Sequence, residues 1–452
     1  MKILFLLEQV EVLELLHHPD DPNPGVGGTS YLIPQLAWRL ADAWDQLEAG
    51  RHRVVLGCWQ ADSDLKAYHG LEVINLLDPA VSVDLHVDVA VATGGALEAL
   101  DAGQFRLNCG RLVAWIHHPF DWQKLAIARR LNAELVSIGA MQYLSHVLIG
   151  GRHHQIENLF SDQAIQRIAE DSVQAAPLDE ADPGVLRVGY MGALIPSKGF
   201  HCILEQWQAI QRVALERGRS LQVHVIGGSR LYSYQQSHPR LPCDRSYGDR
   251  LEHLMRLQGI GRQELVFHGV MGPERYGLMA GCQLAVVNPE GYGEAFPATI
   301  LEWLSLGVPT ITAGRFGLAD VARYLPECTI RGPRQLAEVL ARVWDLASQP
   351  GGRLAAHCRA VARLYSSKQP WILWQWIVLL ESLDPALGAA NSCHGLNRRP
   401  LRSDGYPTAQ MFGQLLRDYV DMVGLRIKGR LKALMASRLR WAGSRRPPRP
   451  RP

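Results

Sequence analysis

Short apolar runs alternate with longer stretches of helical periodicity along most of the chain. The first third contains KILFLL, HRVVLGCW, VDVAVAT, RLVAWIHH and ELVSIG, and a second set comprises LRVGYMG, LQVHVIGG, ELVFHGV, QLAVVNP and VPTITA. Continuous Val/Ile/Leu runs separated by helices are typical of strands buried on both faces of a parallel sheet. The pattern therefore predicts an α/β protein with two doubly wound sheets.

The two sets of strands predict two domains. A chain of 452 residues is too long for one ordinary hydrophobic core, and the acidic, proline-containing segment 170–184 has the composition of a linker. We place an N-terminal Rossmann-like domain at 1–172, the linker at 173–184 and a C-terminal Rossmann-like domain at 185–365. Ligands of such sheets bind beyond the carboxyl ends of the strands, so two facing domains would hold one between them.

The C-terminal part of the chain has a different composition. We expect residues 366–385 to form a Trp-rich helix that packs back toward the N-terminal domain, and residues 386–452 to form a basic tail. From Arg398 onward there are 14 Lys/Arg and 3 Asp/Glu, although the whole chain has a net charge of only +3. Residues 408–452 have the basic amphipathic character of a peripheral membrane contact, but a solvated or core-packed helix explains them equally well. Nucleic acid is not expected as a partner, because few aromatic residues interleave with the charges.

Several protein classes are disfavoured by composition. The eight cysteines contain no C-x-x-C pair, so neither a zinc site nor a disulfide framework is predicted, and a reducing cytoplasm fits. The apolar start contains three glutamates, which favours a buried first strand over a signal peptide. No apolar run is long enough to predict a transmembrane helix.

Two glycine-rich loops each follow a predicted strand and precede a helix. Gly27 and Gly28 lie in NPGVGGTSYLIPQL, and Lys198 lies in VGYMGALIPSKGF. Glycines let backbone N–H groups approach an anion, and a lysine neutralises a phosphate as a point charge. Taken alone, the first loop is better explained as a plain turn, and Lys198 as an exposed lysine in a turn. The spacing is not G-x-G-x-x-G, so a dinucleotide site is only weakly supported.

The stretch GYGEAFPATILEWLSLGVP predicts a helix that begins near Pro297 and ends before Gly307. Backbone N–H groups in the first turn of a helix have no partner within it, so those around Ala298 and Thr299 are expected to form an anion site.

Two glutamates flank this predicted helix entrance. Glu294 precedes the helix, where hydroxyls of a sugar could reach it, and Glu302 lies about one turn inside, where its carboxylate could hold a ribose diol. Together they suit a sugar–phosphate–nucleoside ligand. The alternative is that Glu302 only complements the helix dipole and Glu294 is solvated.

The segment VFHGVMGPERYGLMAGCQLAVVNPEGYGEAFPATILEWLSLGVPTITAG resembles the donor-binding region of retaining glycosyltransferases of family 4 (group 1), which have the GT-B fold. Glu294 and Glu302 match the two glutamates of the family's E-x7-E motif. VGYMGALIPSKGF, LQVHVIGG, IENLFSD, VAWIHHPFD and GVGGTSYLIPQLAWRLA are similar to other family segments. The resemblance covers roughly residues 1–385.

The resemblance implies roles for individual residues. Glu302 would bind the ribose, Glu294 would contact the donor sugar, and Lys198 would bind the diphosphate. His117, or less readily His118, would face the sugar near its anomeric carbon, although a core or capping histidine is the alternative. The remaining residues assigned to donor binding are Gly27, Gly28, Phe296, Pro297, Ala298 and Thr299.

The sequence departs from the family pattern in four places. Ala193 stands where an arginine beside the diphosphate is usual, so Lys198 must do more or another arginine, such as Arg230, must substitute. Trp303 stands where alanine is usual. Pro297 replaces a common glycine, and Asn288 replaces a common serine.

The reaction implied by the resemblance is transfer of a sugar from a nucleotide sugar to a glycan or lipid-linked acceptor, with retained anomeric configuration. The enzyme would be cytoplasmic or peripheral at the inner membrane face, in bacterial cell-surface polysaccharide or glycolipid synthesis. No metal and no cofactor are expected; the D-x-D sequence at 62–64 is assigned to a surface loop. The alternatives are a non-catalytic GT-B-fold binding or assembly protein at the membrane, another GT-B enzyme such as a nucleotide-sugar epimerase and, more distantly, a Rossmann dehydrogenase.

Overall fold

A computed structural model describes most of the chain. The described residues are 1–8, 10–47, 50–60, 65–78, 81, 85–118, 121–147, 152–175, 184–229 and 238–384. Several sequence predictions fall outside these residues: the basic tail with its membrane-contact segment 408–452, most of the linker, Arg230 and the D-x-D sequence at 62–64.

The N-terminal half forms an eight-stranded sheet flanked by helices. Its strands are β1 (Lys2–Leu7), β2 (Arg53–Cys58), β3 (Ala67–Tyr68), β4 (Leu71–Asn75), β5 (His86–Ala92), β6 (Asn108–Ile116), β7 (Glu134–Ser137) and β8 (His153–Gln155). The order across the sheet is β3-β4-β2-β1-β5-β6-β7-β8, and only β3 and β4 pair antiparallel. The helices are α1 (Glu11–Leu15), α2 (Gly28–Leu47), α3 (Gly94–Asp101), α4 (Trp122–Arg130), α5 (Ala140–Val147) and α6 (Asp162–Ala175).

The C-terminal half forms a six-stranded parallel sheet in the order β11-β10-β9-β12-β13-β14. Its strands are β9 (Val185–Met191), β10 (Ser220–Ile226), β11 (Leu265–Gly269), β12 (Leu284–Val287), β13 (Thr310–Ala313) and β14 (Thr329–Ile330). Its helices are α7 (Phe200–Glu205), α8 (Trp207–Leu215), α9 (Arg245–Gln258), α10 (Arg275–Ala280), α11 (Ala298–Ser305), α12 (Ala319–Ala322), α13 (Leu336–Ala347), α14 (Arg353–Ser366) and α15 (Gln369–Ser382). The predicted fold class, two doubly wound parallel sheets, is confirmed.

Two helices cross between the halves in opposite directions. Helix α6 precedes the second sheet in sequence but packs on its helices, and Gln166 Nε2 donates to the carbonyl of Ser305 at 3.0 Å. Helix α15 follows the second sheet but packs on α2 of the first half, where Trp44 Nε1 donates to Glu381 Oε1 at 3.2 Å. Trp376 of α15 also meets Trp115 edge to face, with ring centroids 5.2 Å apart. Each half therefore contributes a helix to the packing of the other.

All ten strands predicted from apolar runs are present, and four further strands are not marked by such runs. β3 and β14 have only two residues each, β4 is LEVIN and β8 is HHQ. These strands lie at or next to a sheet edge, where pairing of the backbone does not require continuous apolar side chains.

Trp303 stands at the position where the resembled family usually has alanine, and it is fully buried in α11. The facing residue on β9 is Gly189, and a Cβ built there would overlap the indole ring of Trp303. The large side chain is accommodated because the strand beneath it has no side chain at this point.

We expect Gly189→Ala to destabilise the protein by roughly 1–3 kcal/mol, because the added methyl group overpacks the core against Trp303. Chemical denaturation of Gly189→Ala, Trp303→Phe and the double variant measures the effect. The smaller ring should leave room for the methyl group, so the double variant should lose less stability than the two single changes predict together.

Gly332→Ala is the control for this cycle, because a Cβ at Gly332 meets no atom within 4 Å. Additive losses in the Gly189/Trp303 cycle would contradict the proposed steric complementarity.

Candidate functional site

In each sheet the order of the strands reverses beside the strand that comes first in the sequence. β1 lies between β2 and β5, and β9 lies between β10 and β12. In open α/β sheets this reversal leaves a crevice at the carboxyl ends of the strands, where ligands bind. The loops that leave these strands in the two halves line one shared cavity of about 440 Å³.

Most of the predicted site residues come together in this cavity. Those that line it are Gly27, Gly28, His117, Lys198, Glu294, Phe296, Ala298 and Thr299. Pro297 and Glu302 are not among the lining residues. His118, the less favoured of the two histidines, also lines the cavity.

Lys198 and Glu294 form an ion pair on the C-terminal wall, with Lys198 Nζ 2.6 Å from Glu294 Oε2. Lys198 ends a 3₁₀ turn (Pro196–Lys198), and its carbonyl accepts a hydrogen bond from the hydroxyl of Tyr190 at 3.1 Å. Both charged side chains are mostly buried, with 16% and 21% of their surface exposed. A lysine and a carboxylate are thus held side by side where they face the cavity.

His117 follows β6 and lies on the N-terminal wall. Its ring packs against Trp115 with centroids 4.2 Å apart, and its Nε2 is buried without a hydrogen-bond partner among the described residues. Burial lowers the pKa of His117 from its usual 6.5 to about 3, so the imidazole is neutral near pH 7. Burial also lowers the pKa of His118, and Lys198 adds to the effect.

The glycine loop before α2 approaches the C-terminal half closely. Gly25 has a φ of +100°, and a Cβ there would lie 2.8 Å from the carbonyl oxygen of Met271. The side chain of Asn23 accepts hydrogen bonds from the N–H groups of Gly25 and Val26, both at 2.9 Å. A Cβ at Gly27 or at Gly28, the two glycines predicted to approach the phosphates of a ligand, meets no protein atom within 4 Å. Gly25 is the glycine that the contact requires.

Helix α11 has the predicted bounds, with Pro297 at its N-cap and a left-handed Gly307 after its end. The N–H of Ala298, predicted to lack a partner within the helix, donates to the carbonyl of Phe296, which precedes the helix, at 3.0 Å. The chain turns tightly at Pro297, so the carbonyl two residues before the helix accepts from this donor. Ala298 and Thr299 nevertheless line the cavity at the helix entrance.

Glu302 is held by Arg275, a residue that the sequence analysis did not single out. The nearest approach is 3.3 Å, from Arg275 Nη2 to Glu302 Oε1, and both side chains are largely buried. Arg275 Nη1 also donates to the carbonyl of Asn23 at 2.7 Å. Glu302 therefore orients an arginine that joins the glycine loop to the C-terminal half.

The cavity also contains polar residues that sequence reasoning missed: Glu8, Thr93, Lys124 and Asn158. Glu8 and Thr93 directly follow β1 and β5, and Lys124 lies in the first turn of the helix after β6. The sequence signal that could have identified them is a polar residue just after a predicted parallel strand. Ala193 lines the cavity as well, and the lining contains two lysines and no arginine among the described residues.

Comparison with known proteins identifies the architecture. No protein-family model and no curated protein matches the sequence. Among solved structures, Anabaena Alr3699/HepE in complex with UDP and glucose matches 84% of this chain and 100% of its own, with 18% identity and a TM-score of 0.57. A glycosyltransferase from Rickettsia africae matches 84% of this chain and 98% of its own, with 13% identity and a TM-score of 0.54. OtsA of E. coli, bound with UDP-2-fluoro glucose, matches 85% and 99%, with 11% identity and a TM-score of 0.56.

The chain has the GT-B fold. The matches span both halves of the described chain and nearly the whole of each solved structure. The cavity described above is thus the cleft between the two Rossmann-like domains of a GT-B protein. No helix among the described residues is long and apolar enough to cross a membrane.

We expect His117 to remain neutral from about pH 8 down to about pH 5, because its burial penalises the imidazolium. Histidine-labelled protein observed by NMR across this range, with His117→Gln to assign the resonance, checks the expectation. An imidazole that titrates near pH 6.5 would contradict it.

The burial of His117 also predicts that the wild type and His117→Gln respond differently in stability to a fall in pH. The native pKa lies below that of the unfolded chain, so the unfolded state gains the proton first and stability falls as pH decreases below about 6.5. Between pH 7 and about pH 5 the wild type should lose about 2 kcal/mol more stability than His117→Gln. Urea denaturation at both pH values measures this difference.

Proposed function

We propose that the chain is a glycosyltransferase that moves a sugar from a nucleotide-sugar donor to an acceptor. The observation that carries the proposal is the shared cleft, where the Lys198–Glu294 pair and the entrance of α11 face the glycine loop and His117. A cation beside a helix entrance suits a diphosphate, and the adjacent carboxylate suits the hydroxyls of a sugar. The solved structures of HepE contain UDP or UDP-glucose, which is consistent with such a ligand.

Lys198 would bind the diphosphate of the donor and stabilise the charge that develops as the diphosphate departs. In the structure Lys198 is paired with Glu294 at 2.6 Å. A bound diphosphate would compete for the ammonium group and leave the carboxylate of Glu294 available to the sugar hydroxyls. One ion pair would thus be exchanged for two ligand contacts.

His117 would act as a neutral imidazole beside the donor sugar. Its buried Nε2 has no protein partner among the described residues, and a neutral ring nitrogen can accept from a hydroxyl or donate to an oxygen, depending on its tautomer. A charged imidazolium would repel the oxocarbenium-like charge of the sugar in the transition state, so the lowered pKa favours this role.

Glu302 would bind the ribose from beside the cleft rather than from its lining. Its contacts to Arg275 are 3.3–3.4 Å long, and a carboxylate has about four acceptor sites. Arg275 would then fix the orientation of the carboxylate while the remaining acceptor sites receive the two ribose hydroxyls.

The finer assignment rests on the resemblance to family 4: transfer with retained anomeric configuration, without a metal ion or cofactor, to a glycan or lipid-linked acceptor. Closure of the two domains over the donor would exclude water and so limit hydrolysis. We infer a cytoplasmic role in bacterial polysaccharide or glycolipid synthesis, with residues 408–452 as the segment that would contact the membrane.

A second candidate is a GT-B-fold protein that binds a nucleotide sugar without turning it over. Ala193 favours this alternative, because it lines the cleft where an arginine would hold the diphosphate. Lys124 is the other lysine of the lining, and it lies 3.5 Å from Glu98 in a partly exposed ion pair. A binding protein would retain nucleotide affinity but release no nucleotide.

The decisive experiment measures nucleotide release from a panel of UDP-, GDP- and ADP-sugars without added metal. We expect release from one donor, and a loss of roughly 100-fold or more in Glu294→Gln, because the sugar loses an anionic contact in the transition state. Donor binding without release in the presence of glycan and lipid-linked acceptors would instead support the binding protein.

The proposed roles predict different kinetic effects of single substitutions. Glu302→Ala should mainly raise KM by weakening ribose binding, whereas His117→Ala should mainly lower kcat. Glu338→Gln is a matched control, because this side chain is 72% exposed on α13. Kinetics of both site variants that equal those of the control would refute the assignment.

A further inference from the structure

A cluster of metal-ligating side chains lies outside the lining of the cleft. His201 and Cys202 are in the first turn of α7, and Glu290 is in the loop after β12. Cys202 Sγ donates to Glu290 Oε2 at 3.0 Å, and His201 Nε2 lies 3.6 Å from both Cys202 Sγ and Glu290 Oε2. One nitrogen, one sulfur and one carboxylate oxygen thus form a nearly equilateral triangle.

The size of this triangle matches the coordination shell of zinc. Zn²⁺ binds a thiolate at about 2.3 Å, an imidazole nitrogen at about 2.0–2.1 Å and a carboxylate oxygen at about 2.0–2.2 Å, in tetrahedral geometry. Tetrahedral ligands at these distances lie roughly 3.3–3.6 Å from one another. The observed separations of 3.0–3.6 Å therefore require little movement of the side chains.

A fourth ligand is available one helical turn away. Glu205 follows His201 by four residues and so projects from the same face of α7. Its carboxylate, the His201 ring and the Cys202 sulfur offer ligand atoms that all lie within 4.8 Å of one another. Glu205 now pairs with Arg250 at 2.9 Å on the exposed side of the cluster, so it can turn toward an ion without disturbing the core.

The surroundings of the cluster also fit a metal site. His201 Nδ1 lies 3.0 Å from the hydroxyl of Tyr247, and an outer hydrogen bond of this kind fixes the tautomer that presents Nε2 to a metal. Gly199 has a φ of +72°, and a Cβ there would lie 2.7 Å from both the backbone nitrogen and the Cβ of Glu290. The backbone is therefore shaped to bring Glu290 against α7.

We propose that His201, Cys202 and Glu290 bind one Zn²⁺, with Glu205 as the fourth ligand. Binding forms the Zn–S bond as the thiol of Cys202 releases its proton to solvent, with no change of oxidation state. The ion is structural, because the cluster is separate from the lining of the cleft. It ties together the two segments that carry Lys198 and Glu294, and its binding does not depend on the proposed transferase activity.

Zinc competition between the full-length chain and a chromogenic chelator tests the proposal, after prior removal of metal and under reducing conditions. We expect one tight site in the wild type, and a loss of affinity of roughly 100-fold or more in Glu290→Gln and Cys202→Ala. Tyr247→Phe should weaken binding by about 10–100-fold through the outer hydrogen bond. Co²⁺ in place of zinc should give a thiolate charge-transfer band that Cys202→Ala lacks.

Cys243→Ala is the matched control, because Cys243 is equally buried but lies outside the cluster; it should bind zinc as the wild type does. Glu290→Gln preserves the size of a partly exposed side chain, so we expect this variant to fold. Circular dichroism verifies that it does. Zinc should raise the melting temperature of the wild type and of Cys243→Ala, but not that of Glu290→Gln. Equal zinc affinity in the wild type and Glu290→Gln, or a Co²⁺ spectrum without a thiolate band, would overturn the proposal.

Discussion

The reversal of strand order beside β1 and β9 determines where every loop of the cleft can lie. The connections that leave β1 and β5 run in opposite directions along the sheet, as do those that leave β9 and β12, and right-handed crossovers place helices of opposite direction on opposite faces. The space between the diverging loops cannot be filled by either helix. Because the two sheets present these openings to one another, side chains from residue 8 to residue 299 line a single cavity.

The sequence predicted the parallel sheets well because their strands are buried on both faces, which leaves a long apolar signature. It also located α11 and its termini, since proline, glycine and the intervening apolar residues specify a helix locally. The sequence could not predict β4 or β8, where pairing depends on neighbouring strands rather than on the apolar character of LEVIN or HHQ.

The candidate site shows the same division. Lys198 and Glu294 were found from their loops, and the structure places them 2.6 Å apart. The partner of Glu302 was not found, because Arg275 lies 27 residues away and meets it only in the folded chain. Local motifs identify residues in the loops that follow strands, whereas ion pairs between residues distant in the sequence can be identified only from the tertiary structure.

Two departures from the resembled pattern have local physical explanations. Asn288 has a φ of +44°, which asparagine tolerates better than most residues. Its side-chain oxygen accepts from the Gly291 N–H, and its side-chain nitrogen donates to the Tyr292 carbonyl. Trp303 has a glycine beneath it. Ala193 has no such compensation in the cleft, since no described lining residue adds a guanidinium there.

The bond from Arg275 to the carbonyl of Asn23 has a consequence for the motion of the two domains. The guanidinium is almost fully buried, and its neighbours include Glu302 and the hydroxyl of Tyr276. Separation of the glycine loop from Met271 would expose one face of a charge that is otherwise sheltered, and water would have to enter before the loop could swing away. Opening of the interdomain crevice at this loop would therefore require hydration of a buried guanidinium in addition to the loss of packing contacts.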